Sequence, residues 1–219
     1  MELALELTND PVDVLTALGE RVAPISFARE RTLPVSADLS EFFPEGGLVR
    51  GRSVQCTGPS ATSLALSLVA PAVAEGAWMA LIDLPTIGLD AAGEYGIPLE
   101  RIVRIDTIVD GEAQRWSDVV AAAADGFDVL LVRVPAGVAP TVMRKVTTRV
   151  QQRGAVIVVL GDPGSLVCDA ELSVEAAVWD GVLDGAGHLR QRMVTIRSGG
   201  RRMHGRCHRD LLLPAMSKG

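Results

Sequence analysis

Two periods of apolar residues alternate along the chain. Ser53-Val54-Gln55-Cys56-Thr57 has the make-up of a short strand closed by Gly58-Pro59, and residues 60–75 follow as a run of Ala, Leu and Ser of helical length. Pro71 lies inside that run, forfeits a backbone hydrogen bond and predicts a kink. Gly76 ends the helix, and Trp78–Asp83 reads as a buried strand. A small helix around Leu89–Tyr95, a strand near Ile102–Ile105, a helix over 112–124, a strand over Asp128–Val134 and a helix over 141–153 come next. Gly154 stands where a helix C-cap glycine belongs. Residues 155–160 are continuously apolar, as a strand covered on both faces must be. Strands alternating with helices predict an α/β fold, a mostly parallel sheet flanked by helices.

Beyond Asp169 the period falls to two. Glu171–Glu175 and Arg192–Thr195 alternate around the turn Gly185-Ala186-Gly187, which predicts a C-terminal antiparallel hairpin with one solvated face. Trp179 and Met193 read first as core residues of that hairpin, with anchors for a partner as the alternative. Ser198-Gly199-Gly200 predicts a further turn into a third, arginine-rich strand. At the other end, Asn9-Asp10-Pro11 opens an amphipathic helix over 9–20, with Val14, Leu15 and Leu18 on one side. An arm punctuated by Pro24, Pro34 and Pro44 follows. The expected division is a helix and arm over 1–40, a core over 41–198 and a basic tail over 199–219.

Composition excludes several classes. With 48% apolar and 22% charged residues, the 219-residue chain can bury a core, which rules out disorder. No apolar stretch is long enough for a membrane span, and the first residues lack the basic head of a secretory signal, so a cytoplasmic location is expected. Cys56, Cys168 and Cys207 are odd in number and far apart, and read as reduced thiols. Charge changes the picture more. From residue 188 onward seven arginines and Lys218 face only Asp210, a net of +7, and the overall −6 leaves −13 for residues 1–187. An acidic body with a basic tail points to a partner or to a solvated terminal hairpin.

The strand, glycine and helix around Gly58 have the layout of a phosphate-binding loop without its chemistry. Such a loop needs glycines so that backbone N–H groups surround the phosphate, a lysine to neutralise it and a hydroxyl for magnesium. Aligned without a gap, Gly58 takes the first glycine position, while Ser63, Leu64 and Ala65 stand where Gly, Lys and the hydroxyl belong. Aligned on the helix instead, the loop is three residues short. Neither register leaves a cation, and the two lysines of the chain, Lys145 and Lys218, are remote in sequence. A helix dipole alone supplies about 0.3–1 kcal/mol, too little for tight ATP binding. A magnesium-positioning acid would follow Val129–Val132, but Arg133 is there and Asp128 lies at the opposite end. The residues therefore predict a tight strand-to-helix connection with no nucleotide cofactor and no catalysis.

In order and spacing these motifs resemble the RecA recombinase superfamily over residues 40–200. Glu45-Gly46-Gly47-Leu48-Val49-Arg50-Gly51-Arg52 resembles its Gly-Gly-Leu-x-x-Gly-Arg lead-in, and Gly58-Pro59-Ser60 the remnant of its nucleotide loop. Leu81-Ile82-Asp83 with Gly88-Leu89-Asp90 resembles a further segment, in which Pro85 replaces the catalytic glutamate. Met143-Arg144-Lys145-Val146 resembles the family's Leu-Arg-Lys-Leu helix. The links 135–140 and 161–165 are short, carry prolines and lack the basic and aromatic residues that grip single-stranded DNA. Strand exchange is not expected.

A RecA-like body without fuel or DNA loops is similar to the short ImuA-type proteins. That resemblance implies a non-enzymatic accessory of a DNA-damage-induced translesion mutasome. Its partner would be ImuB, an inactive Y-family polymerase relative, and through it an error-prone C-family polymerase and sliding clamp. The basic residues Arg190, Arg192, Arg197, Arg201, Arg202, Arg206 and Arg209 would form the docking surface, since arginine suits both protein interfaces and phosphate. The reading leaves open RecA as a partner, weak DNA contact by the tail, self-association, and an alternative as a SulA-like cell-division inhibitor acting on the tubulin-like division protein. His204, Cys207 and His208 lack a fourth ligand, so no metal is expected. Glu112, Asp118 and Asp125, and the basic side of helix 141–153, read as solvated faces.

Overall fold

The computed structural model describes residues 31–107, 113–183, 186–203 and 207–213; of 180–183 and 186–191 only the backbone is described. Its strands are β1 (Thr32–Leu33), β2 (Leu48–Val49), β3 (Ser53–Thr57), β4 (Met79–Ile82), β5 (Ile102–Ile105), β6 (Val129–Val132), β7 (Val156–Leu160), β8 (Ala170–Leu183), β9 (Ala186–Gly199) and β10 (His208–Leu213). Its helices are α1 (Ala37–Ser40), α2 (Ala61–Ala74), α3 (Leu89–Glu94), α4 (Ala113–Ala123) and α5 (Pro140–Arg153). The main sheet has eight strands in the order β10-β9-β8-β3-β7-β6-β4-β5. It is parallel from β8 to β5, and β9 and β10 extend it antiparallel. This is the predicted α/β arrangement of a mostly parallel sheet with a C-terminal hairpin. The expected third strand is β10, which pairs Leu211 with Val194 and Leu213 with Arg192 at the sheet edge; it is leucine-rich and holds one arginine, Arg209. The predicted helix over 9–20 lies outside the described residues.

Two cores sandwich the sheet. On one face α2 buries Leu64, Leu66, Leu68 and Val69 against Val54, Cys56, Leu81, Leu131 and Val158. This helix is apolar nearly all round, which suits an element enclosed by sheet and arm. It runs unbroken through Pro71, with Glu75 N–H donating to the Pro71 carbonyl. Leu39, Phe42 and Phe43 of the arm close the same core. On the other face Trp116 and Val120 of α4 and Met143, Val146 and Val150 of α5 cover Ile82, Leu130, Val132 and Ile157. β6 and β7, between the two layers, are buried throughout, which is why their sequences do not alternate.

Ion pairs hold the ends of elements together. Arg50 bonds Asp128 at 2.8 Å, and the other Asp128 oxygen accepts the Trp78 N–H, so this acid anchors the entries of β4 and β6. Asp125, beyond α4, pairs with Arg149 at 2.5 Å and Arg153 at 3.0 Å on α5. The acids and bases expected to be simple solvated faces thus include a link between α4 and α5; Glu112 lies outside the described residues.

Candidate functional site

The connection from β3 to α2 is set by close backbone approach. Gly58 has φ +87°, and a Cβ there would sit 2.0 Å from the Val174 carbonyl oxygen of β8, so only glycine fits. Ser60, the N-cap of α2, is left-handed at φ 71° and its hydroxyl makes no capping bond to the helix. Of the loop-motif positions, Ser63 is 8% exposed, and Leu64 and Ala65 are fully buried in the core beneath the sheet. No side chain at 64 or 65 faces a phosphate. Asp83, also buried, has a left-handed backbone and accepts the Thr107 N–H at 2.6 Å and the Thr107 hydroxyl. It ties the chain after β4 to the chain after β5.

Arg192 reaches this loop from β9. Its two terminal nitrogens donate to the hydroxyls of Ser60 and Ser63, and its guanidinium carbon lies 4.2 Å from the centroid of the Trp179 ring. The expectation that no cation is present at the loop is therefore corrected. The cation arrives from a strand 132 residues beyond Ser60, because β9 returns antiparallel beside β8, which itself lies against β3. A guanidinium at the positive end of a helix is disfavoured by about 0.3–1 kcal/mol. The aromatic face offsets this by about 0.5–2 kcal/mol, and the two hydroxyl acceptors add to it.

The other arginines of the basic set do not form one open patch. Arg197 pairs with Glu175 at 2.7 Å, Arg202 with Asp169 at 3.4 Å, and Arg209 with Glu41. Arg201 is exposed in the turn after β9. Arg206 and the side chain of Arg190 lie outside the described residues. Trp179 and Met193, expected in the core, are 48% and 42% exposed. They line an unusually long ribbon that extends beyond the cover of its neighbours, and sequence alternation cannot show where a sheet stops being covered.

At the carboxyl ends of β4, β6 and β7 a cleft of about 340 Å³ is lined by Thr62, Leu84, Thr86, Arg133 and Asp162. Arg133 is exposed on its wall, and Pro85 is exposed in the turn after β4. Among the described residues no group of His, Cys, Asp and Glu is placed to hold a metal ion, and His204 lies outside them. Cys56 and Cys168 are buried, and burial pushes both thiols up to about 12, so neither is a nucleophile near neutral pH.

The family model described as the MT3502 N-terminal domain matches residues 41–164. The chain belongs to this family. The matched span runs from the end of the arm to the link after β7, so the family segment includes the Gly58 loop while Arg192 lies beyond it. No curated protein matches the sequence. Among solved structures, the KaiC-like protein PH0186 from the hyperthermophilic archaeon Pyrococcus horikoshii OT3 is similar with a TM-score of 0.53 and 13% identity. The match covers 83% of this chain and 93% of that one. That likeness shows the fold, which is RecA-like. No helix among the described residues is long and apolar enough to cross a membrane.

Proposed function

We propose that this chain is a non-catalytic, RecA-shaped adaptor of a DNA-damage-induced translesion complex that docks onto an ImuB-like protein. The observation that carries this reading is Arg192. Its guanidinium uses the hydroxyls of Ser60 and Ser63 at the very loop where a RecA-like enzyme would seat phosphates. Arg133 adds a second positive charge after β6, where a magnesium-binding acid would be needed. Phosphate without magnesium would have to displace a stacked, half-buried side chain. The body is then a scaffold, and its docking contacts are the exposed turn arginines Arg201 and Arg202. The polymerase and clamp are reached through the ImuB-like partner.

Two measurements test this. Calorimetry with ATP and magnesium should show no binding; a Kd at or below about 10 μM, roughly −7 kcal/mol, would remove the reading. Co-purification with an ImuB-like partner should succeed for the wild-type chain and drop for the double variant Arg201→Glu/Arg202→Glu. Equal retention by both would place docking elsewhere. Truncation after Ser198 is the poorer test, because it deletes β10 and uncovers Val194 and Ile196.

A further inference from the structure

The ribbon of β8, β9 and β10 carries an apolar row on the face turned away from α2. Val178 stands opposite Met193, and Met193 opposite Leu212, across three adjacent strands. These side chains are 68%, 42% and 38% exposed, whereas Val194 and Ile196, pointing to the other face of β9, are fully buried. No described helix covers the row: the core beneath α4 and α5 takes strand residues from β4, β6 and β7 and none from β8–β10. Among the described residues no strand flanks the ribbon beyond the row: β3 pairs with Ala170–Ser173, β10 reaches Arg192, and from Asp180 to Gln191 the described pairings are between β8 and β9. A two-stranded ribbon of that kind is marginal in water unless one face is packed.

We infer that this face is a self-association surface, on which the row Val178–Met193–Leu212 packs against the same row of a second copy about a two-fold axis. The fringe decides between occupants. Directly beside the row, Thr195 donates to Asp210 at 2.6 Å, and next to them Glu175 forms ion pairs with Arg197 and His208, at 2.7 and 3.2 Å. Both signs of charge are present and lie within pairing distance of one another. A nucleic acid would meet Glu175 and Asp210 and gain little. A two-fold interface needs one patch that complements itself, and an apolar centre with a charge-balanced border meets that requirement. Packing sheet face on sheet face also covers both ribbons at once. This surface differs from the arginine turn assigned to the partner and stands independently of the adaptor reading.

Sedimentation velocity of the full chain tests it, over a concentration series up to about 100 μM, a range in which a weak dimer of about micromolar Kd is populated. The wild type should sediment as a dimer. Met193→Asp should weaken association by at least tenfold, while Leu99→Asp, on an exposed apolar residue near the opposite edge, should leave it unchanged. A wild type that stays monomeric across the range overturns the inference, as does a Met193→Asp chain that dimerises like wild type. Should Met193→Asp fail to fold by circular dichroism, Val178→Cys in a Cys207→Ser background replaces it. A short bifunctional maleimide should then link two copies through position 178, and failure to link them overturns the inference.

Discussion

Arg192 and Trp179 stand directly opposite each other on β9 and β8, the guanidinium carbon 4.2 Å from the indole centroid. The stack fixes the direction in which Arg192 leaves the ribbon, and that direction ends at Ser60 and Ser63. One side chain therefore joins the C-terminal ribbon to the first turn of α2. Its Nε is buried without a hydrogen-bond partner, which offsets part of what the stack and the two hydroxyls contribute. Arg192→Ala should lower stability by about 1–2 kcal/mol in urea denaturation. Arg192→Lys, which keeps the charge but loses the two-pronged donation, should fall between the two. An unchanged midpoint for Arg192→Ala would show that the stack contributes nothing.

Gly58 offers a sharper test of the loop. Its positive φ and the 2.0 Å approach of a would-be Cβ to the Val174 carbonyl oxygen leave no relaxed position for a side chain. Gly58→Ala should cost about 3 kcal/mol or more, and should separate β3 from β8. Gly126, with nothing within 4 Å of its would-be Cβ and no positive φ, serves as the control. Gly126→Ala should shift stability by less than about 1 kcal/mol, toward greater stability. Thermal or urea unfolding of the two variants decides.

The thiols should divide two to one. Cys56 and Cys168 are buried with their thiols pushed up to about 12, first by loss of hydration. Cys207 is only partly covered. Titration of the native chain with a disulfide reagent at pH 8 should give one fast equivalent, and the remaining two only on unfolding. The raised values also set a direction with pH. The neutral thiol is favoured in the folded state, so this stabilisation is complete below the unfolded value near 9 and declines as pH rises from there toward 12.

Asp125 carries the opposite sign. The hydrogen bond from Arg149 is the main cause of its lowered pKa, aided by the charges of Arg149 and Arg153. A lowered folded value means that the ionised carboxylate stabilises the link between α4 and α5. That contribution is present above the ordinary carboxylate pKa, about 3.9, and is lost as pH falls through the lowered value. Arg149→Ala should move the Asp125 titration upward in carbon-detected NMR, and the stability gap between variant and wild type should close in acid. An unmoved titration would count against the pairing.

The element map was legible because its cues are local. Gly154 caps α5 in a left-handed conformation as its position predicts, and the continuous apolar run 155–160 becomes the fully buried β7. The apolar character of Leu64 and Ala65 was equally legible, and both are buried in the core of α2. In the sequence Arg192 reads as one of seven arginines of a docking surface. Nothing within a few residues of it signals Ser60 or Ser63, and only the register of β8 with β3 and β9 brings them together. Trp179 and Met193 were misread for a related reason: alternation reveals that two faces exist, not which of them a helix covers.

By itself, then, the chain's sequence determined the alternating α/β core, its glycine-shaped loop and the absence of a lysine and a magnesium-binding acid there, because these depend on residue type and short spacing. Tertiary structure alone decided that the loop is occupied by an arginine from a distant strand, that most of the described arginines are already paired, and that the apolar row of the ribbon faces outward. Those outcomes depend on which strands become neighbours, a long-range result of burying two faces of one sheet.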